Sequence, residues 1–225
     1  MPHLRRPLSR RWLATLGASF AALMAVAWLL APELHALLGS ATVRSVDLAA
    51  WNGAHALAAP AVLWVAGMSN DLHGTAGILI LTALAAWIWH RRNEPQACVR
   101  LLVAVPAGML LNMALKTVFD RARPSWAIGQ LPLSASFPSG HVAEATVFYG
   151  SLAIETARRE TRRRWQAGCV AAAAAMIALV AFGRIVVGVH FLSDCVAALA
   201  ESGLWLTACF SASPLARDAA GAGAR

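Results

Sequence analysis

Six residues in the second half of the chain have types and spacings that fit phosphoryl chemistry. Lys116 and Arg123 stand seven residues apart, and Pro124 follows, in the run K-T-V-F-D-R-A-R-P. Phe137-Pro138-Ser139-Gly140-His141 comes next, then Gly183-Arg184, with His190 six residues after that arginine and Asp194 four after the histidine. Guanidinium forks and an ammonium meet phosphate oxygens through charge-assisted hydrogen bonds. Ser139 and Gly140 at a helix start would add backbone N–H groups at the positive end of the helix dipole. If 190–194 is helical, the i,i+4 spacing puts imidazole and carboxylate on one face. A carboxylate on one ring nitrogen fixes the tautomer and raises the basicity of the other, which fits His190 as nucleophile or base and leaves His141 as acid.

The elements that must position these groups are membrane helices. The 225 residues are 59% hydrophobic and 13% charged, with mean hydropathy +0.59, far from the roughly 45–50% apolar and 25% charged of a soluble domain. A bilayer core needs about 20 apolar residues per helix, and six segments are predicted: about 12–31, stopping at Pro32, then 74–89, 98–119, 141–157, 168–189 and 191–210. The stretch 45–68 is interrupted by Asp47, Asn52, His55 and Pro60, and its tryptophans suit the interface, so it reads as an interfacial helix pair. The predicted organisation is a cytoplasmic basic N-terminus at 1–11, a membrane domain at 12–210 with the motifs in 74–210, and a disordered cytoplasmic tail at 211–225. The first segment reads as an uncleaved helix, since the small residues at 39–41 come late for a signal cleavage site.

The net charge of +8 comes from 19 basic residues, and Lys116 is the only lysine. Fourteen arginines fall in the N-terminus, 90–100, 158–166 and the tail, as cytoplasmic loops do, so nucleic acid is not the expected partner. Lys116, Arg123 and Arg184, with Arg44 and Arg121, remain outside. A charge within a spanning helix costs on the order of 2.5–3.5 kcal/mol and calls for a partner or a function. Topology brings the three motifs to one outer face. The four cysteines have no ligand-like spacing, and no acidic cluster suits magnesium. No metal and no cofactor is expected.

K-x6-RP, P-S-G-H and R-x5-H-x3-D, in that order, resemble the three signature motifs of the type 2 phosphatidic acid phosphatase superfamily, integral-membrane lipid phosphatases. The resemblance covers roughly 74–210. It implies an all-α six-transmembrane-helix bundle with its site at the outer leaflet. It implies that His190, oriented by Asp194, attacks phosphorus to form a phosphohistidine, that His141 protonates the leaving group and then activates water, and that Lys116, Arg123, Ser139, Gly140 and Arg184 hold the phosphate oxygens. Gly183 stands where the family has serine, which would remove one donor to a phosphate oxygen. The implied substrates are lipid phosphates such as undecaprenyl diphosphate, phosphatidic acid or phosphatidylglycerol phosphate.

Lipid-to-lipid phosphotransfer would use the same residues, and an anion transporter would use intramembrane cations differently, spread through the depth of the bundle. The short, Ala- and Arg-rich chain fits a bacterial inner-membrane protein with its site facing the periplasm. Selectivity is expected from 32–73 and 125–137. Asn112, Glu155 and Glu201 are expected to bond between helices, Asp120 and Arg121 to pair locally or shape the loop, and Glu144 to sit near His141 without an assigned role.

Overall fold

The computed structural model describes residues 10–127 and 133–211, so the expectations for the N-terminus and the tail fall almost wholly outside the described residues. Among the described residues all regular structure is helical: α1 (Arg10–Leu38), α2 (Ala41–His55), α3 (Pro60–His73), α4 (Thr75–Arg91), α5 (Pro95–Phe119), α6 (Gly140–Ala157), α7 (Arg163–Val186) and α8 (Leu192–Ser211).

Local chemistry sets the ends. Ser40 caps α2 by accepting from the Val43 N–H. Pro60 and Pro95 open α3 and α5, where a missing N–H costs nothing. Asp120 closes α5 in the left-handed region. The expected stop of α1 at Pro32 is a misreading: the helix runs on to Leu38 with Pro32 inside. Proline removes one hydrogen bond, but the remaining backbone of an apolar helix must still be bonded internally, so spanning helices tolerate it. His35 then fastens that end, its ring nitrogens 2.6 and 2.8 Å from the carbonyl oxygens of Ala31 and Phe119.

By length and composition α1, α5 and α7 suffice to cross a membrane, and α2 and α3 qualify together as a pair bent by 116°. Two helices, α2 and α3, thus stand where an interfacial pair was expected, over a longer stretch than 45–68 and apolar enough together to count as one bent span. α4 is apolar but shorter, at 17 residues. The carboxylates that lower the hydropathy of α6 and α8 turn inward: Glu155 and Asp194 are fully buried.

Small residues let the helices close on one another. A Cβ on Gly108 of α5 would come within 3.0 Å of Trp205 and Val147, which belong to α8 and α6. Opposite charges close one end. Arg100 of α5 holds Glu155 of α6 through two hydrogen bonds of 2.5 and 2.9 Å, and Arg159 joins Glu155 to Glu94. At the other end lie the C-termini of α5 and α7 and the N-termini of α6 and α8, which bring the three motifs together as expected.

Candidate functional site

A cavity of about 490 Å³ opens at that end, lined by Lys116, Arg123, Gly140, His141, Arg184 and His190 together with Glu144 and Thr75. Its remaining wall includes Leu79, Pro106, Met109, Leu110 and Met113 of α4 and α5. One end is therefore cationic and the other apolar.

Lys116 and Arg184 are held by single bonds that leave donors over, whereas all five N–H groups of Arg123 have partners. Lys116 donates to the Ala135 carbonyl at 2.7 Å. Arg123 donates to the carbonyls of Ser134 at 3.0 Å and Val189 at 2.9 Å. Burial lowers its titration from the ordinary value while Asp194 opposes the shift, and a guanidinium remains charged in proteins. Arg184, 6% exposed, donates to Asn70 Oδ1 on α3, while its Nε is buried without a partner. Gly74, between α3 and α4, lies beside His141: a Cβ there would sit 3.7 Å from His141 Nε2, in ordinary contact.

The bonds around His190 fix its tautomer. Arg123 Nη1 lies 3.3 Å from His190 Nε2. A guanidinium has only donors, so Nε2 accepts and the proton sits on Nδ1. That nitrogen faces Asp194 Oδ2 at 3.4 Å. His190 thus turns an unprotonated nitrogen to the cavity side. Burial is the main cause holding it down to about 4, with Asp194 opposing, so the ring is neutral at physiological pH.

Asp194 is saturated with donors. Ser136 Oγ at 2.5 Å and the Phe191 N–H at 2.9 Å reach Oδ2, and Arg121 Nη1 reaches Oδ1 at 2.6 Å. Of the two roles expected of Arg121, pairing with Asp120 is not found, since its partners are Asp194 and Asp47, whereas its carbonyl holds the loop by accepting from the Ser136 N–H at 2.8 Å. Ser136, Arg121, Ser193 and Asp47 surround the site; the two serines were not singled out from sequence, and Arg121 and Asp47 were noted there without a role in the site. Their signal, a charge inside or beside an apolar run, was present at Asp47 and Arg121, but the partners are over seventy residues away.

Ser139 and Gly183 lie beside the cavity rather than on its wall. Ser139 is fully buried, and its N–H donates to the Asp194 carbonyl at 3.2 Å, which leaves Gly140 as the member of that pair on the cavity wall. A Cβ at Gly183 would meet Ala66 of α3 at 3.6 Å, so this position packs against α3. The interhelical roles expected of Asn112 and Glu201 are found in one bond, Asn112 Nδ2 to Glu201 Oε1 at 2.6 Å. Glu144 accepts from Thr75 at 3.1 Å. Among the described residues no three His, Cys, Asp or Glu side chains converge as a metal cage.

A family model described as the PAP2 superfamily matches residues 97–218. No curated protein matches the sequence. Among solved structures the chain is similar to one described as the first transmembrane PAP2 type phosphatidylglycerolphosphate phosphatase from Bacillus subtilis. The two are 23% identical over 83% of this chain and 93% of that one, with a TM-score of 0.67. At that identity the likeness is one of fold.

Proposed function

Because the chain belongs to the PAP2 superfamily, we propose that it is an integral-membrane lipid phosphatase that works through a phosphohistidine on His190. The observation that carries this reading is a cavity with a cationic end and an apolar wall. A phosphate on a lipid tail matches both halves. Free phosphate would leave the apolar wall unused, and a neutral lipid would leave three cations unpaired.

In the proposed sequence, Lys116, Arg123 and Arg184 bind the non-bridging oxygens, and Gly140 offers its place at the N-terminus of α6. His190 Nε2 attacks phosphorus. The P–O bond to the lipid breaks, its electron pair goes to the leaving oxygen, and protonated His141 supplies the proton. Neutral His141 then takes a proton from water as that water attacks phosphorus. The P–N bond breaks, its pair returns to Nε2, and inorganic phosphate leaves. The cations act most strongly where charge develops in the transition state.

The reading extends to a six-span topology with α2 and α3 at the interface, the arginine-rich loops in the cytoplasm, and the site on the periplasmic side of a bacterial inner membrane. No metal enters the scheme. Phosphatidic acid, phosphatidylglycerol phosphate and undecaprenyl diphosphate are the substrates to compare, and the likeness in fold to the Bacillus subtilis phosphatidylglycerolphosphate phosphatase favours including the second. Purified protein in mixed micelles with a chelator present is expected to release phosphate from at least one of them, and His190→Ala to release none. Turnover surviving in that variant would refute the nucleophile assignment.

A further inference from the structure

Arg121 stands between two cavity cations in sequence, yet it lines no part of the cavity. Its guanidinium instead runs behind the site. It donates to Asp194 Oδ1 at 2.6 Å and to Ser193 Oγ at 2.8 Å, reaches Asp47 Oδ2 at 3.2 Å, and lies 3.9 Å over the Phe191 ring. Its backbone carbonyl accepts from the Ser136 N–H at 2.8 Å, and Ser136 Oγ bonds the other oxygen of Asp194. One residue thus holds both carboxylate oxygens, one directly and one through its neighbour. Asp47 on α2, 2% exposed, completes the fork and also accepts from the N–H and hydroxyl of Ser193 at 2.9 and 2.8 Å.

We infer that Arg121, braced by Asp47, is a positioning residue that locks the Asp194 carboxylate in the orientation that holds His190. The inference rests on the reading of His190 as nucleophile. With Oδ1 taken by Arg121, the carboxylate cannot rotate, and Oδ2 stays toward His190 Nδ1. The position of Asp47 matters as much. It lies on α2, outside the matched residues 97–218, so a helix remote in sequence sets the geometry of the catalytic pair. The groups that charge the surroundings of His190 are Asp194 on α8, Arg184 on α7, His141 on α6 and Arg123 on the loop. Removing Arg121 leaves Asp194 less neutralised, which favours the imidazolium and moves the acid limb of activity to higher pH.

The test compares wild type, Arg121→Gln, Arg121→Lys and Asp47→Asn in phosphate release from phosphatidic acid micelles, with kcat, KM and the pH profile measured for each. Outer partners of metal-ligating histidines are worth about 10- to 100-fold, and the same order is taken for the partner of a histidine oriented by a carboxylate. The expected result for Arg121→Gln is a kcat loss of that size, KM within about twofold and an acid limb shifted upward, partly reversed in Arg121→Lys. Asp47→Asn, which keeps Arg121, is expected to lower kcat about tenfold at unchanged KM and decides the matter if Arg121→Gln does not fold. A raised KM with kcat and limb unchanged in Arg121→Gln would make Arg121 a phosphate ligand and overturn the inference, as would wild-type kcat in Asp47→Asn. Wild-type protein that releases no phosphate from any lipid phosphate would instead refute the phosphatase reading and take this inference with it.

Discussion

Lys116→Met keeps the length of the side chain and removes its charge. In the structure the ammonium holds the Ala135 carbonyl at 2.7 Å and lines the cavity with Arg123 and Arg184. The carbonyl retains Arg123 Nη2 at 3.5 Å, so the loop keeps a second donor, while a phosphate bound as proposed would lose one of three cations. A preorganised donor aimed at developing charge is worth about 10²–10³ in kcat, or about 2.7–4 kcal/mol. The substrate phosphate is already anionic before reaction, so part of the loss falls on KM, and kcat/KM is expected to drop by about 10³. Arginine at this position returns the charge as a planar fork on a different stem and is expected to restore only part. The assay is release of inorganic phosphate from phosphatidic acid in mixed micelles with chelator, with His190→Ala as the baseline. Thermal unfolding in the same detergent serves as the control and is expected to be unchanged. A Lys116→Met enzyme with kcat/KM within about threefold of wild type would refute the clamp.

Glu155→Ala leaves the buried Arg100 guanidinium, 4% exposed, without its carboxylate. Such a loss costs about 3–5 kcal/mol, so a marked fall in melting temperature with unchanged kcat is expected, and an unchanged melting temperature would contradict it. Gly188→Ala forces a side chain onto φ +76°, with Cβ 2.9 Å from Trp126 and 3.0 Å from Trp51. The expected outcome is a loss of about 1–3 kcal/mol and a lower kcat because His190 lies two residues on; wild-type values for both would refute the packing argument. Burial holds His190 down to about 4, whereas an imidazole unfolded into water titrates near 6.5. The unfolded chain therefore takes the proton first as pH falls. Stability relative to His190→Gln should be level above about pH 6.5 and decline toward pH 4, and parallel curves for the two proteins in thermal unfolding would count against that burial.

The helices from α4 onward were legible because apolar runs bounded by arginines leave few alternatives, and α4 to α8 begin and end within about five residues of their predicted bounds. The convergence of Lys116, Arg123, His141, Arg184 and His190 followed from helix polarity alone. Ser139 did not follow, because its distance from the cavity depends on an N–H spent on the Asp194 carbonyl. Gly183 did not either, since which way a helix position faces depends on the neighbour, here Ala66. Arg121 shows the same limit. Asp120 adjoins it and is the nearest opposite charge in sequence, but Asp120 sits in the left-handed turn that ends α5, and the pairing was decided by carboxylates on α2 and α8.

The contacts of Arg184 with Asn70 and of Glu144 with Thr75 join the motif-bearing helices to α3 and α4. A graft of residues 97–211 onto another scaffold would carry every signature residue and still lack Asn70, Thr75 and Asp47. A transplantable unit would therefore have to carry the hydrogen-bond partners that lie upstream of the signatures, on α2, α3 and α4.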